Sequence, residues 1–110
     1  MKTVSYKGKK WNGEVCFSDP LSIEQEAAWE VSVAEYMKVS KKGGGLSSMH
    51  FAFLPGILAC VEEWHIKGLP EIVTVDNFPS RPRKERAEFI GWVVEQVTEI
   101  YKQEDDDPNA

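Results

Sequence analysis

The feature that most constrains the fold is the stripe in the last third of the chain. Over residues 82–103, Ala87, Ile90, Val93, Val94, Val97, Ile100 and Tyr101 recur at the three- and four-residue spacing of one helix face. A helix carrying one broad stripe has to lay it against other elements, so the preceding chain must supply a packed layer. Ser80 or Pro82 supplies the start signal. Trp92 falls off this stripe, among Glu85, Glu88, Glu95 and Glu99. An indole on an acidic face needs covering, by the 70–82 connection, by an N-terminal hairpin, or by another chain.

A second helix signal lies after Asp19-Pro20, where Ser22-Ile-Glu-Gln25 matches the capping box and predicts a helix over 22–39. Its apolar residues fall into two stripes, Ile23, Ala27, Val31 and Ala34 on one side and Trp29, Val33, Tyr36 and Met37 on the other. One core occupies one stripe, so this helix is expected to touch two surfaces. The KKGGG segment at 41–45 breaks it, because three glycines lose much backbone entropy on ordering and offer nothing to pack.

Another helical region is expected from Ser47 or Ser48, with Pro55-Gly56 in its middle removing a hydrogen bond. Continued past that point, the period puts Ile57, Leu58, Val61, Trp64 and His65 on one face and Glu63 and Lys67 on the other. Gly68 then reads as the left-handed residue past the helix end, with Leu69 and Pro70 as the stop. Residues 70–82 hold three prolines and no helical period, and predict an extended connection with a short strand at 72–75.

Ahead of all this, TVSYKGK and GEVCF are rich in strand formers, and Asn12-Gly13 between them is the strongest turn signal. An isolated hairpin is marginal in water, so it must lean on helices. The expected fold is therefore mainly α within an α+β class: an N-terminal β-hairpin packed on three helices, the middle helix kinked or broken at Pro55-Gly56. One domain is expected over 1–103, followed by an acidic, disordered tail over 104–110.

Chemistry-bearing patterns are sparse. Glu62 and His65 stand three apart, a helical spacing that lets a carboxylate and an imidazole share a metal. A zinc site needs three or four protein ligands, and His50, Cys16 and Cys60 form no close-spaced pair with them, so no metal or other cofactor is expected. The glycines at 43–45 precede Leu-Ser-Ser and not the Gly-Lys-Ser/Thr of a phosphate loop, and no G-x-S-x-G pattern occurs. Arg81-Pro-Arg-Lys-Glu-Arg86 is the one basic cluster, either a solvated loop or a surface for charge recognition through Arg81 and Arg83.

Charge and hydropathy narrow the partners. The formal net charge is −5, with seven Lys/Arg against six Asp/Glu in residues 1–55 and six against twelve in 56–110. Nucleic-acid binding requires a cation surplus, so it is not expected. The longest apolar segment, FAFLPGILACV, is eleven residues, and a membrane helix needs about 20. Two distant cysteines and no signal-like N-terminal stretch predict free thiols in the cytoplasm.

The segments DPLSIEQEAAWE, LPGILACVEEWHIKGLPE and DNFPSRPRKERAEFIGWVVEQVTEIY resemble the small tail assembly chaperones of long-tailed bacteriophages and prophages. The resemblance spans about residues 2–103. It rests on the order of a hairpin, a Pro-Leu-Ser helix start, a Trp-containing helix ending in Gly-Leu-Pro, and a Phe-Pro connection into a Trp-bearing helix. It implies a non-enzymatic protein of the host bacterial cytoplasm that binds the tape measure protein, recruits tail tube subunits, and leaves before the tail is complete. It carries over no residue role.

The residues themselves suggest Trp29, Val33, Tyr36 and Trp92, with Arg81 and Arg83, as a partner-binding surface for those proteins or for a second copy of the chain. Two alternatives stand beside this one. The first is a structural tail-completion or head-to-tail connector protein, and the second a small metal-dependent enzyme using Glu62 and His65 with His50.

Overall fold

The computed structural model describes residues 1–103; the expected acidic tail at 104–110 lies outside the described residues. Six elements follow one another: β1 (Lys2–Lys7), β2 (Asn12–Phe17), α1 (Ile23–Lys41), α2 (Leu46–Cys60), β3 (Val61–Lys67) and α3 (Arg83–Gln103). The mixed α+β class, the N-terminal hairpin and three helices are all present. A third strand joins the hairpin, giving an antiparallel sheet in the order β1-β2-β3.

Side chains alternate across this sheet. Val4, Tyr6, Val15, Phe17, Trp64 and Ile66 point to the core, while Thr3, Ser5, Glu14, Cys16, Glu63 and His65 point away from it. The hairpin turns at Gly8–Trp11, where the Gly8 N–H donates to the Trp11 carbonyl at 2.9 Å. Asn12-Gly13 is thus the start of β2 and not the turn. Glycine is needed there for another reason: its φ is +148°, and a Cβ would strike the His65 carbonyl of the neighbouring strand.

Residues 61–67 form a strand and not the second half of a helix. A bulge lies where β2 meets the start of β3, so that Val61 and Glu62 together oppose Phe17. Val61 and Trp64, three apart, consequently face the same side, and a bulged strand imitates a helical spacing. His65, alternating with Trp64 and Ile66, turns outward from the core, and Gly68 follows the strand with φ +111°, where a Cβ would strike the Trp11 indole.

α1 begins as its sequence dictates. Ser22 Oγ accepts from the Gln25 N–H at 3.1 Å, the Ser22 N–H donates to Gln25 Oε1 at 2.8 Å, and Gln25 Nε2 reaches the Ala59 carbonyl at 3.0 Å. The capping box therefore also anchors α1 to the end of α2. α2 starts at Leu46 with Gly45 as its cap residue and no side-chain cap, so neither Ser47 nor Ser48 serves there. It runs through Pro55-Gly56 as one element without a restart. Ser32 Oγ of α1 accepts the Gly56 N–H at 2.8 Å, and a Cβ on Gly56 would meet that hydroxyl, so α1 and α2 touch closely here.

α3 lays Phe89, Ile90, Val93, Val97 and Ile100 into the core. Residues 70–82 carry no strand at 72–75; Thr74 and Asn77 close a turn by mutual side-chain to backbone hydrogen bonds instead. Val73, Val75 and Phe78 of this connection pack on the core.

Candidate functional site

An open apolar groove lies between α1 and α2. Trp29 of α1 is buried against Phe53, and Tyr36 packs on the same ring, so the stripe of Trp29, Val33 and Tyr36 is the inward one. Trp29 belongs to the core, and Val33 and Tyr36 are partly buried against it. The opposite stripe faces solvent: Ile23 is 83% exposed and Val31 70%. Both surfaces of this helix are real, with the roles of the stripes decided by where Phe53 sits.

Across from Val31, α2 presents Phe51, 62% exposed, beside Ala52 and Pro55. Together with Val39 they line a groove of about 540 Å³, with Glu35, Ser47 and Ser48 as polar rim. Pro55 contributes a ring where helices usually carry an amide, and the Ser32 to Gly56 hydrogen bond fixes the floor. Large apolar side chains this exposed and this close together are characteristic of interaction surfaces. Leu46 and Met37, also exposed, extend the apolar character of α1 and α2 beyond the groove.

Trp92 is covered by the hairpin. Its ring lies 5.0 Å from Tyr6, 6.1 Å from Phe17 and 5.9 Å from Phe89 between centroids. It is half-buried within an aromatic cluster that joins sheet and α3, which leaves little of it for a partner. Arg81 and Arg83 are exposed at the start of α3, away from the α1–α2 groove lining. Arg86 reaches the Ser47 hydroxyl at 2.7 Å and the Ser80 carbonyl at 3.2 Å, so part of the basic cluster ties α3 to α2.

Sequence reasoning missed Glu85. It is buried at the start of α3, and its Oε1 accepts the N–H groups of Trp11 at 2.8 Å and Lys10 at 3.0 Å. These backbone donors, Trp11 first, hold its carboxyl below the usual carboxylate range. Only the acidic residue inside an otherwise basic run hinted at it.

Glu62, His65 and His50 are not gathered into a site. Glu62 sits in the bulge and His65 on the sheet's outer face, while His50 lies on α2 with its Nδ1 buried and unpartnered. Burial, and then the Arg86 charge, lower the His50 pKa. What the sheet does bring together is Cys16, Glu63 and His65, whose donor atoms all lie within 4.8 Å of one another. Cys60 is elsewhere, buried at the end of α2, with its thiol pushed up to about 11 by burial. Among the described residues no helix is long and apolar enough to cross a membrane. No family model, curated protein or solved structure matches the chain.

Proposed function

We propose that the protein is a non-enzymatic tail assembly chaperone of a long-tailed phage or prophage, acting in the host bacterial cytoplasm. The groove between α1 and α2 takes the apolar face of a tape measure helix, and tail tube subunits are recruited to that complex. The observation that carries this reading is the pairing of Val31 and Phe51, both largely exposed, on the walls of one apolar groove. A helix-in-groove contact needs such a surface, and a chaperone gains by covering apolar partner surface until another subunit displaces it. The resemblance of the three sequence segments to tail assembly chaperones supplies the identity of the partner.

Val31→Asp with Phe51→Asp tests it. Both side chains are exposed, so the double variant should keep the thermal midpoint of the parent while losing co-purification with a tape measure fragment. A parent protein that binds neither tape measure nor tube protein would overturn the reading. Mass spectrometry of finished particles separates the neighbouring possibility, since a chaperone is absent from them and a completion or connector protein is present.

A further inference from the structure

We propose that Cys16, Glu63 and His65 form a divalent metal site, suited to zinc, on the outer face of the three-stranded sheet. This site is independent of the α1–α2 groove. The register builds it: Cys16 of β2 stands directly opposite Glu63 of β3, and Glu14 directly opposite His65. All four side chains point to the same face, because residues two apart on a strand share a side and cross-strand partners do as well. A thiol, an imidazole and a carboxylate are thereby held on two hydrogen-bonded strands, a firmer base than a loop.

The distances fit a site that closes around an ion. His65 Nε2 lies 3.8 Å from Glu63 Oε2, and all three donor atoms fall within 4.8 Å. Ligand atoms on a tetrahedral zinc stand about 3.5 Å apart, so the donors need to draw in by about 1 Å. Glu63 and His65 are exposed and free to rotate, whereas Cys16 is sunk between its neighbours, its Sγ 3.3 Å from Thr3 Oγ1. The sulfur thus forms a fixed floor beneath two adjustable arms.

The surroundings favour a cation. Glu63 and His65 also line a cleft of about 370 Å³ beside the edge strand, to which Glu62 and Glu71 add carboxylates. Of the cations on this face, Lys67 stands two residues beyond His65 on β3 and Lys7 across Asn12 from it, both on the side of His65 away from Cys16 and Glu63. A sulfur and a nitrogen donor select zinc or a similar borderline metal over magnesium or calcium, which take oxygen ligands. Three protein ligands facing solvent leave the fourth position to water.

Cobalt(II) titration of the reduced, full-length chain tests the site directly. A thiolate-to-cobalt charge-transfer band should grow to saturation at one equivalent and be bleached by zinc. Cys16→Ser should abolish the band, and His65→Ala, at an exposed position, should raise the half-saturating cobalt concentration at least tenfold. Glu95→Gln, on the exposed face of α3, should leave the titration unchanged, with far-UV circular dichroism confirming that each variant is folded. Absence of the band in the parent, its survival in folded Cys16→Ser, or superimposable curves for parent and His65→Ala would each overturn the proposal. Should Cys16→Ser fail to fold, the His65→Ala titration decides alone.

Discussion

The Trp11 N–H donates to Glu85 Oε1 at 2.8 Å, joining the hairpin turn to the first turn of α3 across 74 residues of sequence. The Lys10 N–H meets the same oxygen, and Gly8 leaves no Cβ in its way. Two turn amides that the sheet cannot satisfy thus find a carboxylate, and the acid also favours the positive end of the helix macrodipole. Beside it, Trp11 packs edge-on against Phe89 of α3 at 5.5 Å. Polar and aromatic contacts therefore fix one orientation of sheet against helix.

Glu85 makes stability acid-sensitive. Its native pKa is lowered from 4.5 by the Trp11 and Lys10 amides, so the unfolded chain binds the proton more readily. The stabilisation is complete above pH 4.5 and is lost as pH falls through the lower native value. Urea midpoints measured from pH 6 to pH 2 should show this decline, and Glu85→Gln should flatten it while lowering the midpoint at pH 6. An identical acid profile in the variant would show that another group governs the loss.

Gly68→Val should destabilise the fold by about 2 kcal/mol or more, from strain at positive φ and from overpacking. The backbone there has φ +111°, and a Cβ would strike Trp11 Cδ1. Displacing the indole would also disturb the Glu85 contact made by the amide of the same residue. A denaturation midpoint equal to that of the parent would place Trp11 away from Gly68.

Local signals were legible in the sequence wherever the physics is local. Ser22 and Gln25 satisfy each other's amides within one turn, and the α3 stripe repeats often enough to be unambiguous. β3 was hidden because Ile57 and Leu58 of α2 continue in phase into Val61 and Trp64, and the bulge puts those two on one face. The alternation of Trp64 and Ile66 with His65 and Lys67 was the available strand signal. Which stripe of α1 faces inward depends on Phe53, and the Glu85 acceptor on a turn far away in sequence; neither pairing is written locally. The same holds for Cys16 with Glu63 and His65, which only the strand register brings together.

Trp92→Ala tests the coverage of that indole by the hairpin. Its ring bridges Tyr6 and Phe17 of the sheet with Phe89 of α3. Truncation should cost about 2–3 kcal/mol, below the figure for a fully buried aromatic because the residue is only half-buried. Equilibrium unfolding of the monomer measures it directly. Little change in stability combined with weakened association would instead assign the ring to a partner surface.

Cys60 should be inert in the native state. Burial raises its thiol from 9.0 to about 11, so near pH 7 only about one molecule in ten thousand carries the reactive thiolate. The native state holds this proton more tightly than the unfolded chain does. The associated stability is therefore present below pH 9.0 and is lost as pH rises through about 11. Iodoacetamide labelling of the reduced protein, read by peptide mass spectrometry, should modify Cys60 only at the rate of unfolding and accelerate sharply in denaturant. Modification in native buffer as fast as in the denatured chain would mean that the junction of α2 and β3 opens readily, which the buried contacts of Cys60 and Val61 argue against.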